Sequence, residues 1–163
     1  MKSKFLPAVL LACSLALAGC GKKEDSASAP AAASASAVAT VEMTANDSMK
    51  YNLTRIEVRS GQEVKLILTN LGSMPKAAMA HNWVLLKKGT DTRAFIDAAV
   101  TAMATDYVPA ALADSVLAHT KLLGPKQSDE ISFKAPTEPG EYTFVCSFPA
   151  HFLSGMTGVL VVK

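Results

Sequence analysis

This chain of 163 residues has no large excess of charge of either sign. It also has few cysteines and few aromatic residues: three are Cys and 6% are aromatic. Lys and Arg total 16 against 14 Asp and Glu. Nucleic-acid binding depends on a basic surface that neutralises phosphates, so this near balance gives no electrostatic case for a nucleic-acid partner. The length is that of about one domain, which excludes a large multidomain enzyme.

The sequence also lacks a hydrophobic run long enough to cross a membrane. The apolar run Phe5 to Leu17 has about 13 residues, whereas a membrane-spanning helix needs about 20. It ends at Leu17-Ala18-Gly19-Cys20, which resembles the bacterial lipobox, where the cysteine is lipidated and becomes the mature N-terminus. We therefore predict that residues 1–19 are a lipoprotein signal peptide and that Cys20 carries the lipid.

The segment after Cys20 is rich in Ala, Ser and Pro and has no large apolar residue before Val38. It cannot bury enough surface to fold by itself, so residues 20–40 are predicted to be a lipidated, flexible tether. Gly21 stands where Asp would favour retention in the inner membrane, so the expected location is the outer membrane, facing the periplasm or the cell surface. The remaining domain, 41–163, has 12 basic and 12 acidic residues and is formally neutral.

Short segments with alternating hydrophobicity dominate this domain. Ile56 and Val58 alternate with charged residues, and the residues from Val64 to Leu68 repeat the pattern. Similar runs occupy 81–86, 130–133, 141–146 and 157–162. Turn sequences separate them, and this spacing of short strands favours an antiparallel β-sandwich.

Residues 91–105 depart from the alternation. Their apolar positions recur with a helical period: Phe95, Ile96, Ala99, Val100 and Met103. This spacing predicts a short amphipathic helix, capped near Thr90 or Asp91, whose apolar stripe packs on the sandwich. We assign it no functional role.

One thiol is left in the domain. Cys13 lies in the predicted signal peptide and Cys20 is predicted to carry lipid, so Cys146 has no cysteine with which to form an internal disulfide. A buried, inert cysteine is one interpretation. Its neighbours favour another, because Cys146-x4-His151-x4-Met156 places a thiolate, an imidazole and a thioether on one short loop at a strand end.

This set of side chains is suited to copper. Soft thiolate and thioether ligands favour Cu(I), and imidazole also suits Cu(II), so one more histidine would complete a trigonal His2Cys site with a weak axial Met. The other histidines of the chain are His81 and His119, and His81 stands at the start of a predicted strand in Met79-Ala80-His81-Asn82-Trp83.

Several motifs occur in the order seen in azurins: Asn46-Asp47-x-Met49, Pro75-Lys76, Met79 to Leu85, Ala118 to Leu122 and Cys146-x4-His151. The domain therefore resembles the azurins and the related auracyanins, small blue-copper electron carriers of the cupredoxin family, over essentially all of 41–163. The resemblance implies an all-β, cupredoxin-like Greek-key β-sandwich. It implies that one type 1 copper is held by His81, Cys146 and His151. By the same motif, Met156 is the weak axial ligand.

The resemblance extends to the surroundings of these ligands. It implies a close approach of the Ala80 carbonyl to the copper. It also implies backbone N–H donors from Asn82 and Phe148 to the thiolate sulfur, with the Asn82 side chain bracing the ligand loops. The imidazole edge of His151 is the predicted electron port. Around it we predict an apolar docking surface formed by Met74, Ala78, Met79, Phe152 and Leu153.

The chain departs from the azurin pattern at several positions. Four residues separate His151 from Met156 where azurin has three, and this longer spacing is similar to that of auracyanins. Ala80 stands where azurin usually has Gly. Asn70 matches azurin's pH-sensitive histidine, so proton-coupled switching is expected to be missing, and the cysteines of the azurin disulfide are absent. His119 matches a surface histidine, and we assign it no metal role.

The predicted function is that of a lipid-anchored electron carrier of the bacterial cell envelope, with one type 1 copper cycling between Cu(I) and Cu(II). Its expected partners are redox proteins such as c-type cytochromes or copper enzymes, and the domain is expected to be a monomer and not an enzyme. The alternative is a copper storage or delivery protein without redox turnover, which would favour exposed, exchangeable ligands. Copper nitrite reductases and multicopper oxidases have similar domains but need further histidines, and this chain has three.

Overall fold

The computed structural model describes residues 37–163. The predicted signal peptide 1–19, the predicted lipidation site Cys20 and most of the predicted tether lie outside the described residues. Within the described part of the chain, no helix combines the length and the apolar character needed to cross a membrane.

Short strands account for most of the regular structure in residues 37–163. The strands are β1 Ala39–Asn46, β2 Lys50–Tyr51, β3 Arg55–Val58, β4 Glu63–Asn70, β5 Val84–Leu86, β6 Val116–His119, β7 Ser128–Lys134, β8 Gly140–Val145 and β9 Thr157–Val162. One α-helix, α1, spans Thr92–Ala99, and 3-10 helices span Met103–Thr105 and Ala110–Ser115. β1 begins at Ala39, within the range predicted to be tether.

The strands form two sheets, in the orders β2-β1-β4-β7 and β3-β9-β8-β5-β6. This confirms the all-β sandwich with one short helix. The predicted antiparallel character holds for most pairs, but β1 pairs with β4 in parallel, as β3 does with β9. Because β3 lies in the other sheet from β1 and β4, the chain reaches β4 by a crossover rather than by a hairpin, and a crossover permits parallel pairing.

β4 shows how the alternating sequence produces the core between the sheets. Val64, Leu66 and Leu68 are at most 1% exposed, while the residues between them are partly exposed. They pack with Trp83 and Phe144 in one apolar cluster. Fully burying one such side chain stabilises the fold by about 1.5–3 kcal/mol, so this interior supplies the rigid frame for the loops at its end.

The helix predicted in residues 91–105 begins where it was expected. The Asp91 side chain caps α1 by accepting a hydrogen bond from the Ala94 N–H at 3.0 Å. Phe95, Ile96 and Ala99 are buried. This part of the predicted apolar stripe therefore packs inward.

The predicted stripe is wrong at its C-terminal end. Val100 is 50% exposed and Met103 is 70% exposed, because α1 ends at Ala99 and Met103 starts a separate 3-10 helix. The β-branched residues Val100 and Thr101 follow the helix directly, and such residues favour helix continuation less than unbranched ones do.

Of the strand predicted over 81–86, only the second half forms a regular strand, β5. His81 instead forms an isolated bridge with Leu123, through the His81 N–H to the Leu123 carbonyl at 3.1 Å and the reverse bond at 2.8 Å. The Trp83 N–H donates to the Thr120 hydroxyl at 2.9 Å. A side chain thus takes the place of a strand carbonyl here, which interrupts the ladder beside the first predicted ligand. The periodicity of the sequence also did not reveal β1, β2 and β6.

Candidate metal centre

The predicted ligands are carried by the segments that leave β8 and enter β5. Cys146 directly follows β8, and His151 and Met156 lie on the loop between β8 and β9. His81 lies on the bridge before β5. All four side chains are at most 2% exposed. The ligand atoms of His81, Cys146 and His151 lie within 4.8 Å of one another, which is close enough for one ion to contact all three.

The chemistry of these donors fits a copper ion. Both ring nitrogens of the buried His81 lack a hydrogen-bond partner among the described residues, and an unpaired buried polar group is costly unless something binds it. The Cys146 sulfur lies 3.4 Å from Nδ1 of His151, and the two imidazole rings are 4.9 Å apart. A thiolate with two imidazoles is the donor set of a trigonal copper site.

The Cys146 thiol is held away from solvent. Burial raises its pKa to about 12, although the backbone N–H groups of Asn82 and Phe148 and the nearby Tyr51 hydroxyl act in the opposite direction. The thiol is therefore protonated at neutral pH in the metal-free protein. Because the thiolate is the ligand form, binding of a metal must release this proton.

The two histidines are already in their ligand form at neutral pH. Burial lowers the pKa of His151 to about 4, and the proximity of His81 adds to this shift. Burial also lowers the pKa of His81, while the charge of Asp47 and the backbone of Asn46 oppose this shift. Since a neutral imidazole is the form that binds a metal, both rings are ready to do so.

The loop between β8 and β9 is closed by its own backbone. The Cys146 N–H donates to the Met156 carbonyl at 3.1 Å, and the Met156 N–H donates to the His151 carbonyl at 3.0 Å. These two bonds link Met156 to both Cys146 and His151, the other predicted ligands of this loop. Ala150 and Gly155 adopt left-handed backbone conformations, with φ of 68° and 84°, and these turns fold the loop back on itself.

The Asn82 side chain joins three segments around the site. Its Oδ1 accepts from the Ser147 N–H at 2.9 Å, and its Nδ2 donates to the Ser147 hydroxyl at 2.8 Å. Nδ2 also donates to the Asp106 carbonyl at 3.1 Å. The residue after His81 is therefore tied both to the residue after Cys146 and to the chain that follows α1.

Sequence reasoning missed residues that surround the site. Tyr51 is buried, and its hydroxyl donates to the Asn82 carbonyl. Asp106 and Tyr107 both have left-handed backbone conformations, and the Tyr107 ring lies 5.1 Å from that of Phe148. The two residues directly after the segment 91–105, to which we assign no role, thus reach the site. Tyr51 follows the Asn46-Asp47-x-Met49 motif closely, but no sequence signal marks Asp106 or Tyr107.

The predicted docking surface is partly exposed. Leu153 is 65% exposed and Met74 is 41% exposed. Ala78 is also exposed, whereas Met79 and Phe152 are half-buried. His151, the predicted electron port, is only 2% exposed.

Two residues that depart from the azurin pattern are fully buried. Asn70 donates from Nδ2 to the Leu123 carbonyl at 3.2 Å and accepts from the Gly72 N–H at 2.8 Å. Its carboxamide has no proton to gain or lose at neutral pH. Ala80 is fully buried directly before His81, and the approach of its carbonyl to a metal stays a prediction. His119, to which we assigned no metal role, is exposed in β6.

Comparison with known proteins places this geometry among copper proteins. The family model for copper binding proteins of the plastocyanin/azurin family matches residues 37–163. The azurin of Achromobacter denitrificans is 40% identical over 117 residues, which cover 70% of this chain and 76% of that protein. Auracyanin-B of Chloroflexus aurantiacus is 33% identical over 125 residues, which cover 76% of this chain and 52% of that protein.

Solved structures with the same fold include members of both groups. The dithionite-reduced auracyanin of Roseiflexus castenholzii is 34% identical and superposes with a TM-score of 0.68, covering 76% of this chain and 96% of that one. An azurin from Methylomonas sp. strain J is 29% identical with a TM-score of 0.67, covering 77% of this chain and 98% of that one.

Proposed function

The chain belongs to the plastocyanin/azurin family of copper-binding proteins, and from that premise we propose that it carries electrons in the bacterial cell envelope from a lipid anchor at Cys20. It is a cupredoxin, and His81, Cys146 and His151 form its type 1 copper site. The observation that carries the proposal is that these three donors, one ligand atom from each residue, converge in a site closed to solvent.

Bound copper supplies one-electron redox chemistry at this site. The task of the protein is to hold the donors in one geometry for both oxidation states, because a transfer that needs little rearrangement of ligands is fast. The two backbone hydrogen bonds that link Met156 to Cys146 and His151 help to hold the loop in one geometry, and Pro149 further restricts its backbone. We assign Met156 the role of weak axial ligand and the Ala80 carbonyl that of a weaker contact. Asn82 and Phe148 donate backbone N–H bonds to the sulfur.

Electrons leave and enter at the imidazole edge of His151. The apolar docking surface around it, defined above, is of the kind that suits brief encounters between redox proteins. The partners we propose are soluble redox proteins such as c-type cytochromes or copper enzymes. Because the domain 41–163 is formally neutral, docking should depend little on ionic strength, and electron exchange with a soluble cytochrome c across a salt series tests this. A steep salt dependence would contradict apolar docking.

The lipid anchor and tether determine where the carrier works. A random coil of the length of residues 21–38, the part of the predicted tether before β1, would span about 23 Å on average and about 60 Å when fully extended. The copper domain can thus reach partners away from the membrane surface while staying attached to it. We place the protein at the outer membrane because Gly21 follows the lipidated cysteine.

The alternative function of copper storage or delivery is not favoured by any contact in the site. A carrier that hands over its metal needs exposed, exchangeable ligands, whereas all four proposed ligands here are at most 2% exposed. We likewise propose no catalytic reaction, since the other histidine, His119, is exposed on β6 and offers no second copper site within residues 37–163.

Addition of Cu(II) to the purified protein tests the proposed function. We expect an intense blue charge-transfer band and a narrow copper hyperfine splitting in electron paramagnetic resonance. Cys146→Ser should abolish the band, and His81→Asn should change both spectra. His119→Asn is the matched control, because it removes an exposed histidine and should leave both spectra as in the wild type. A colourless wild-type complex refutes the proposal.

A further inference from the structure

The short strand β2 lies beside the copper site without contributing a ligand. It pairs with the end of β1, with Ala45 opposite Tyr51 and Asn46 opposite Lys50. Successive side chains of a strand point to opposite faces, and accordingly Lys50 is exposed while Tyr51 is 6% exposed. The two neighbouring side chains can therefore reach different parts of the site.

Tyr51 contacts the segment that carries His81. Its hydroxyl donates to the carbonyl of Asn82, the residue after His81. Its ring packs edge-on against Phe144 at 5.7 Å between ring centres, and Phe144 precedes Cys146 by two residues on β8. One side chain thus touches both the first ligand segment and the strand that leads to the cysteine.

Lys50 contacts the loop that carries the other two ligands. Its ammonium group donates to the Ser154 carbonyl, which lies between His151 and Met156. Gly155 leaves room for this approach, because a Cβ there would lie 2.8 Å from the Lys50 nitrogen, and its φ of +84° favours glycine in any case. The loop, which is one residue longer than in azurin, is thus held at its tip by a charged donor.

We propose that β2 acts as a clamp in which Lys50 and Tyr51 are positioning residues, fixing the His81 segment and the His151–Met156 loop relative to Cys146. The proposal rests on the electron-carrier function proposed above. Neither side chain is one of the proposed ligands, so each acts through the backbone carbonyl that it binds.

The structure offers matched controls at the far end of β8. Like Lys50 at Ser154 and Gly155, Lys88 donates to a backbone carbonyl, that of Pro139 at 3.4 Å, and its nitrogen lies 3.1 Å from where a Cβ of Gly140 would be. Lys88 differs from Lys50 in also pairing with the Glu138 carboxylate. The Tyr142 hydroxyl donates to the Glu138 carbonyl at 2.8 Å, as the Tyr51 hydroxyl does to Asn82. The six residues of β8 separate this turn from Cys146 by about 20 Å.

The experiment compares Lys50→Met with Lys88→Met, and Tyr51→Phe with Tyr142→Phe, in the copper-loaded full chain. The first member of each pair should change the hyperfine splitting and slow electron self-exchange severalfold, because the ligand segment that it holds is released. Lys50→Met should also lower the reduction potential, because the loss of a positive charge favours the oxidised state. The second members should leave all three values unchanged. Lys50→Arg retains a charged donor and should restore the exchange rate.

A second measurement uses the metal-free protein. Hydrogen exchange of the Gly155 and Met156 amides, which bond to the Phe152 and His151 carbonyls, should speed up severalfold in Lys50→Met and not in Lys88→Met.

The clamp is overturned if the wild type shows the blue spectrum while Lys50→Met and Tyr51→Phe keep its spectrum, potential and exchange rate. A wild type without the blue spectrum refutes the proposed function instead. Because Lys50 is exposed, its Met and Arg variants keep the test decisive even if Tyr51→Phe fails to fold.

Discussion

The interior of the sandwich and the end of it that carries His81, Cys146 and His151, here called the copper end, are stabilised in different ways. Between the sheets, the buried side chains are apolar and pack in one large cluster. The buried polar residues of the described chain lie instead at or next to the copper end, namely Asn70, His81, Asn82, Thr120, Ser147 and His151. A buried polar group destabilises the fold unless it is hydrogen-bonded or bound to a metal. The copper end therefore depends on stability that the interior supplies.

This difference separates two kinds of substitution. A change in the interior should alter the free energy of unfolding while the copper spectrum stays the same. A change at the copper end should alter the spectrum even where its effect on stability is modest. Each of the following substitutions tests on which side of this division a residue lies.

Leu66→Ala should have the largest effect on stability. Leu66 is fully buried on β4, and replacing a buried Leu by Ala removes apolar contacts and leaves a cavity, which costs about 2–5 kcal/mol. Denaturant unfolding measures the loss, and electron paramagnetic resonance of the copper-loaded variant should match the wild type. A changed hyperfine splitting would show that the interior and the copper end are not independent.

Asn82→Ala should alter both properties. The variant leaves the buried Ser147 N–H without its partner at 2.9 Å, and an unsatisfied buried group of this kind costs about 1–3 kcal/mol. The spectrum should change as well, because the tie between the segments of His81 and Cys146 is lost. Asn52→Ala is the control, since the Asn52 Oδ1 also accepts a backbone N–H, that of Thr44 at 2.7 Å, but at an exposed position. If both variants keep the wild-type spectrum, Asn82 has only a packing role.

Asp91→Ala should lower stability by about 1 kcal/mol, the usual effect of losing an N-cap. The Asp91 carboxylate accepts the Ala94 N–H at the start of α1, ten residues after His81 in the sequence. The excursion after α1 touches Asn82 through the Asp106 carbonyl, so this variant tests whether the helix start matters to the site. We expect thermal unfolding to shift to lower temperature with no change in the blue band. A shifted band would assign α1 to the copper end.

The interior was largely predictable from the sequence because its contacts follow a local period. The alternation of β4 corresponds to a strand with the expected buried face. The run 157–162 is also a strand, but its last three residues are all buried, so it does not show the predicted alternation. The spacing Cys146-x4-His151-x4-Met156 was readable for a similar reason, since the three residues share one short loop. Candidate ligands so close in sequence can be recognised with little knowledge of the fold.

The supports of the copper end were not predictable in this way. β2 has two residues, which is too short for any period to show. Tyr51 is 31 residues from Asn82, and Lys50 is 104 residues from Ser154, so only the folded chain brings these pairs together. The helix end was misjudged at Met103 because the apolar spacing continues past the point where the backbone leaves the helix.

The smallest expected effect concerns two carboxylates, one on each side of the division. Hydrogen bonds from Ser73 and from the Met74 N–H hold the pKa of Asp47, beside the copper end, below its ordinary 3.8, although partial burial opposes them. Lys163 and Arg55 hold the pKa of Glu57, on β3, below its ordinary 4.5. Each lowered pKa stabilises the fold above the unfolded value, and this contribution is lost as the pH falls through the folded pKa.

Salt should distinguish the two carboxylates. The hydrogen-bond donors to Asp47 are neutral, and the charge of His81 adds the smallest contribution. The partners of Glu57 are exposed charges, which salt of about 1 M screens within about 3 Å. We therefore compare the thermal midpoint of the metal-free protein with those of Asp47→Asn and Glu57→Gln as the pH falls from about 5 to about 3. At low salt both variants should lose less stability on acidification than the wild type. At high salt only Asp47→Asn should still differ from it, because hydrogen bonds to neutral donors survive screening. Equal behaviour of the two variants at high salt would mean that charge, and not the backbone and hydroxyl of the 73–74 segment, stabilises the Asp47 carboxylate.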